Sequence, residues 1–230
     1  IVTIIHNRPL VIFLGAYLFY GVAIGMWYGL IFLYVDTYLG MGDKFVKMFL
    51  VAFILGIVVS PLWAKMAIAF GKKKVVSVAV TLVFVSFIFT GTLKPNETSF
   101  QEIVMLKVVN SVGIVCLSAI VPAMLSEISD YTAWKFRAEN NAICFALLNF
   151  VTKFSSAIGT SLGLAIAGSY GFDAAASIQT SEGVQGLILG MVWWPAFLIL
   201  LSLALIIAGP INTARYEIVR RRLDVLFVRR

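Results

Sequence analysis

Residues 142–170 read AICFALLNFVTKFSSAIGTSLGLAIAGSY, 29 residues with a single charged side chain, Lys153. As a helix rising about 1.5 Å per residue, this run is longer than the ~30 Å hydrocarbon core of a bilayer and reads as a membrane span. Five more runs of that kind flank it, at about 10–38, 45–66, 75–93, 103–125 and 184–208. The breaks between them, GMGDK, AFGKKK, KPNETS, SEISDYTAWKFRAEN and GFDAAASIQTSEG, are rich in glycine, small polar residues and charge, as loops are. Over all 230 residues, 61% are hydrophobic, 13% are charged and the mean hydropathy is +0.99. A soluble domain carries about 25% charged residues, so a water-soluble fold is excluded. The expected class is an all-α membrane protein, with 1–212 forming a six-helix transmembrane bundle and 213–230 a basic tail. Cys116 and Cys144 lie inside apolar runs, which argues against a disulfide framework or a zinc site. The chain begins at Ile1 without a signal peptide pattern, and the missing initiator methionine is expected of a piece of a longer chain.

The net charge of +7 is distributed unevenly. Arg8, Lys65, Lys72, Lys73, Lys74, Lys135, Arg137 and the six arginines from Arg215 onward fall on one side of the spans; Lys44, Lys47, Lys94 and Lys107 fall on the other. Lys and Arg are retained in the cytoplasm, so both termini are expected inside, in a plasma membrane or a bacterial inner membrane. The basic excess is explained by topology and the lipid bilayer, and no nucleic-acid partner is expected. Lys47 and Lys107 lie within about two turns of the outer interface and are expected to snorkel there, without a function.

Lys153 belongs to neither side. It stands about 11 residues from one end of its span and about 17 from the other, roughly 17 and 26 Å, while a lysine side chain reaches about 6 Å. Its ammonium must therefore face protein or water, at a cost of at least about 2.5–3.5 kcal/mol at a helix centre. A structural ion pair with another helix is one solution, but no acid within the six spans is an obvious partner. Asn149, Lys153, Ser156 and Thr160 share an arc of about 60° at 100° per residue. Such a stripe lines a cavity or makes hydrogen bonds to a neighbouring helix, as Thr160 is expected to do.

The first span has another pattern. Tyr17, Tyr20, Trp27, Tyr28 and Tyr34 fall within about 120° of arc, beside a Gly21, Gly25, Gly29 edge that reads as a close helix contact. Aromatic rings with polar tips pack in cores and also suit ligands with apolar ring faces and hydroxyls, as sugars have. Trp27 and Tyr28 are too deep for an interfacial belt. Pro61, Pro122 and Pro195 are expected to bend or end their helices.

The stretch 122–140, PAMLSEISDYTAWKFRAEN, packs Glu127, Asp130, Lys135, Arg137 and Glu139 into what reads as one loop, where charge pairs can close and release one end of a carrier. Followed by the Lys153 helix, GLAIAGSYGFD and ARYEIVRRRL, and preceded by FLYVDTYLG and WAKMAIAFGKKKV, it resembles the C-terminal half of a glycoside-pentoside-hexuronide cation symporter, the melibiose-carrier group of the major facilitator superfamily. The resemblance implies a twelve-helix carrier in which the lysine at Lys153 links cation and sugar coupling. It also implies that the coupling cation, sodium or proton, binds carboxylates of an N-terminal six-helix half that would be this chain's partner; no cofactor is expected in this half. Glu127 and Thr132 depart from the group's usual Asp and Gly.

Together these features describe half of a secondary transporter carrying a sugar or glycoside with a cation by alternating access. Lys153 is the coupling residue, Asn149, Trp27, Tyr28 and Ser156 are candidates for substrate binding, and Asp130, Lys135, Arg137 and Glu139 for a cytoplasmic gate. A non-transporting scaffold or sensor on a carrier bundle, or a cation-coupled lipid carrier of related fold, fits the same pattern. An enzyme does not, because the single histidine is His6, at the inner interface, and no metal-ligand set or acid pair lies at mid-membrane depth.

Overall fold

The computed structural model describes residues 7–136, 141–174, 176 and 179–209. Six helices long and apolar enough to cross a membrane occupy them. The first, α1, is Arg8–Leu33 and continues through a π-helical turn, Tyr34–Tyr38. It is followed by α2 (Phe45–Phe70), α3 (Lys72–Thr90), α4 (Phe100–Phe136) and α5 (Asn141–Ser169). The last, α6, combines Ser181–Ile188, a π-helical turn Leu189–Trp193, and Trp194–Ala208. The basic tail and the gate residues Arg137 and Glu139 lie outside the described residues.

Local chemistry sets the boundaries. Gly71, at φ 89°, is the one residue between α2 and α3, a left-handed backbone that a side chain resists. A capping box opens α4: the Ser99 N–H donates to Glu102 Oε2 at 2.8 Å, and the Glu102 N–H to Ser99 Oγ at 3.3 Å. Thr180 caps α6 by accepting from the Gly183 N–H at 3.0 Å. Pro61 and Pro122 sit inside unbroken helices, so neither ends its span. Pro195 stands two residues past the end of the π turn of α6, where a widened turn takes up the carbonyl that its ring would meet.

The fourth span corrects the expected boundaries. It does not stop near residue 125; α4 carries on to Phe136, so SEISDYTAWKF is helix rather than loop. Its last turns are tied down by contacts the sequence pattern left unpaired. Lys72 at the start of α3 forms an ion pair with Glu127 at 2.7 Å, Asn7 donates to Thr132, and Ser129 donates to Asn141 at the start of α5.

Packing is closest between α1 and α5, and it follows the glycine edge. A Cβ built on Gly25 would lie 2.4 Å from the carbonyl oxygen of Ser156, and one on Gly159 would lie 2.2 Å from that of Val22. Backbone against backbone is the small-residue mode of membrane helix association, in which dispersion replaces the hydrophobic drive that lipid cannot supply. Thr160 Oγ1 donates to the Gly25 carbonyl at 3.0 Å across the same contact. Single hydrogen bonds stitch the other helices: Tyr34 Oη to the Thr90 carbonyl at 2.6 Å, Trp63 Nε1 to the Val112 carbonyl at 3.0 Å, and Asn110 Nδ2 to Ser86 Oγ at 3.1 Å. Cys116 and Cys144 are buried free thiols.

Candidate functional site

The two least covered helices are α2 and α5. The open face of α2 carries Val46, Leu50, Phe53, Ile57 and Val58, which suits lipid. The open face of α5 is different, because Asn149, Lys153 and Ser156 stand on it, all exposed, beside the stacked rings of Phe150 and Phe154. Lys153 lies roughly 18 Å from the start of α5 and roughly 24 Å from its end at the helical rise. Among the described residues it takes part in neither of the two ion pairs, Lys72–Glu127 and Lys94–Glu97. Thr160 departs from this stripe, since its hydroxyl is spent on Gly25. Ser155, one residue from the stripe, is fully buried against Gly21.

The aromatic residues of α1 divide in two. Tyr20, Trp27 and Tyr34 turn into the bundle, while Tyr28 is 44% exposed. Trp27 stacks on Phe87 with ring centroids 5.8 Å apart and meets Tyr28 edge-on at 5.3 Å. Its indole N–H is buried and has no acceptor among the described residues.

Beside them is a residue whose role the sequence pattern misses. Lys107 does not snorkel: it is 4% exposed, and its ammonium lies 4.2 Å from the ring centroid of Trp27, 4.1 Å from Phe49 and 5.0 Å from Tyr28. Cation–π contacts contribute about 0.5–2 kcal/mol each, so three rings offset much of the ~2.5–3.5 kcal/mol cost of an intramembrane charge. Distance from the interface was the wrong measure, because the face of the helix decides. Ile103, Lys107, Asn110, Gly113 and Leu117 recur every three or four residues along α4 and are all buried, a stripe that points Lys107 inward. That spacing, with Asn110 one turn on, was the available signal.

At the opposite, basic end of the bundle, Asp130 is half-buried and Lys135 exposed on the last turns of α4, and both are engaged in interactions. The Lys135 ammonium lies 5.8 Å from the Tyr131 ring. Lys73 donates to the carbonyls of Ile207 at 2.8 Å and Gly209 at 2.7 Å, capping the C-terminus of α6 where a cation meets the negative helix end. A crevice opens between α1, α3, α4 and α6 near this end, lined by Tyr17, Tyr20, Lys73 and Ser202 among apolar side chains.

An exposed intramembrane lysine and a caged one in a six-helix bundle are features that mark substrate and ion pathways in transporters. Sequence comparison agrees. The chain is 28% identical over 158 residues to an uncharacterized symporter, YjmB, of Bacillus subtilis (strain 168), an alignment covering 67% of this chain and 32% of that protein. The chain thus spans about a third of the length of that relative. The family model for MFS/sugar transport proteins matches residues 1–213. With six membrane helices, as in one half of the major facilitator fold, and a match over nearly its whole length, the chain belongs to the MFS/sugar transport protein family.

Proposed function

We propose that this chain is the C-terminal half of a secondary carrier of the plasma membrane that takes up a sugar or glycoside together with sodium or a proton. The observation that carries the reading is Lys153: a charged side chain exposed at the middle of a membrane helix, flanked by Asn149 and Ser156 and without an ion pair among the described residues. Such a face is tolerable in a bilayer only against water or against another bundle that supplies acids. Carriers of this superfamily place two six-helix halves around a site near the bilayer midplane, and access alternates as one half rocks on the other. In that arrangement Lys153 pairs with carboxylates of the N-terminal half when cation and substrate are absent and releases them when the cation binds. Asn149, Ser156 and Tyr28 offer hydrogen bonds and a ring face to the glycoside, with Trp27 behind Tyr28. Asp130, Lys135, Arg137 and Glu139 contribute to the closure of the cytoplasmic end, on which both termini lie.

The test is Lys153→Gln in the complete carrier. The variant should reach the membrane in normal amount and lose concentrative uptake, because the site keeps its shape and a donor but not the charge. Gradient-driven uptake at the wild-type level by that variant would end this reading.

A further inference from the structure

Of the three rings around Lys107, Tyr28 is the most exposed, 44% open on α1, and no hydrogen bond among the described residues fixes its hydroxyl. Its neighbour Trp27 is buried, with an indole N–H that has no acceptor among the described residues. Neither ring is therefore oriented by a hydrogen bond. Face and edge contacts orient them instead. Trp27 stacks on Phe87 at 5.8 Å, Tyr28 meets Trp27 at an interplanar angle of 80°, and Phe49, set by Phe45 at 4.5 Å, flanks Tyr28 at 6.5 Å. Among the described residues, the Lys107 ammonium is the group that lies over Trp27, Phe49 and Tyr28 together.

A tyrosine open on one side has more than one staggered rotamer within reach. A ring face attracts a cation and the ring edge repels it, so turning Tyr28 away from the ammonium forfeits the attraction. At a partly exposed ring this favours one rotamer by about three- to tenfold. A methionine at position 107 would fill the space among the rings without placing a charge in the membrane, so packing alone does not account for the lysine. The lysine is itself held in register, because Asn110, one turn on along α4, donates to Ser86 Oγ of α3 at 3.1 Å. Trp27 and Phe49 secure the ammonium from within, and Tyr28 feels it at the surface.

We propose that Lys107 is a positioning residue for substrate recognition: through its cation–π contact it sets the Tyr28 ring in the orientation that a glycoside meets. The inference rests on the carrier reading for the ligand. It gives Lys107 no contact with that ligand, since only 4% of the lysine is exposed.

The experiment has two arms, both on the purified complete carrier, with every variant read below its own melting temperature. In the first, 3-fluorotyrosine at position 28 reports the ring by fluorine NMR without any ligand. The wild type should give one narrow line, Lys107→Met and Lys107→Gln should shift and broaden it, and Lys107→Arg, which keeps the cation, should restore it. A line indifferent to Lys107→Met and Lys107→Gln overturns the proposal. In the second arm, binding and cation-driven uptake of labelled methyl glucosides and methyl galactosides are measured. Lys107→Met should weaken binding about three- to tenfold and raise KM by the same factor at an unchanged maximal rate, Lys107→Arg should change either less than about twofold, and Lys107→Met added to Tyr28→Leu should cost nothing more. If Lys107→Met weakens binding as much in the Tyr28→Leu background as alone, or lowers only the maximal rate, the lysine does not act through Tyr28 and the proposal falls. Concentrative uptake with wild-type KM in Lys107→Met would overturn the positioning role and leave the carrier reading intact. A fluorine line that responds as expected in a protein that binds none of these sugars would count against the sugar reading and leave the tie between Lys107 and Tyr28 standing.

Discussion

Lys107 and Lys153 both carry an ammonium to membrane depth, and the fold treats them in opposite ways. Lys107 is enclosed by α1, α2 and α4, with three ring centroids 4.1–5.0 Å from its nitrogen. Lys153 stands on the least covered side of α5 with small polar neighbours. The first is a charge for which this bundle has built its own surroundings; the second is a charge that the described residues leave open. A buried cation can therefore be read from this chain alone, whereas the role of the exposed one belongs to the carrier reading proposed above.

The largest way to break this contrast is to separate α1 from α5, since that contact fixes where Lys153 points. Gly25→Leu drives a side chain into the Ser156 backbone, 2.4 Å from the first added carbon. Overpacking of a tight site costs about 1–3 kcal/mol, and more where backbone rather than a flexible side chain is in the way. The variant should lose most folded protein by fluorescence-detected size exclusion. Gly168→Leu, on the same contact partner but with open space around its Cβ, should not. Equal behaviour of the two would mean that the glycine edge is not the α1–α5 interface.

Next in size is a charge reversal. Lys107→Glu presents a carboxylate to the negative faces of three rings and should cost about 3 kcal/mol, read as a clear drop in melting temperature in detergent. Lys153→Glu, on an exposed face, should leave the melting temperature of the isolated chain nearly unchanged. If the reversal is harmless at both positions, Lys107 is not caged.

How far the sequence could be read depended on which property each feature expresses. Six spans follow from length and hydropathy, which are local properties, and the glycine edge follows from side-chain size at fixed helical spacing. The outcome for Lys107 depends instead on the azimuth of α4, which is set by where Asn110 finds Ser86 and Trp63 finds Val112. Counting turns from the interface cannot supply that. The stretch 126–136 looked like a loop because it is polar, yet Glu127, Ser129 and Thr132 are held by Lys72, Asn141 and Asn7 on other elements. Tertiary partners let a polar segment stay helical, and a single helix does not name its partners.

Accessibility sharpens the contrast at small energetic cost. In the chain with Cys116 and Cys144 replaced, Lys153→Cys should react quickly with a membrane-impermeant maleimide in detergent, and Lys107→Cys should react only after unfolding. Both substitutions remove a charge without an ion-pair partner among the described residues and should shift stability by less than about 1 kcal/mol beyond the lost packing. Rapid labelling at position 107 would show that the cage opens to water without any partner.

The smallest effect is expected at Thr160, which separates a hydrogen bond from a shape. Its hydroxyl donates to the Gly25 carbonyl at 3.0 Å, and its methyl would be 2.9 Å from a Cβ on Gly29, so valine keeps the shape and deletes only the donor. The Gly25 carbonyl already accepts within its own helix in a regular turn, so losing a second donor leaves no backbone group orphaned. Interhelical bonds of this kind in membranes average about 0.6 kcal/mol, and Thr160→Val should destabilise by that order in a thermal melt, with Lys153→Cys labelling unchanged. A loss several times larger would mean that the α1–α5 contact is held by its hydrogen bond rather than by close backbone packing. The consequence would reach Lys153 directly: a face positioned by one bond could swing with it, and the exposed lysine would be mobile relative to α1 rather than set rigidly on it.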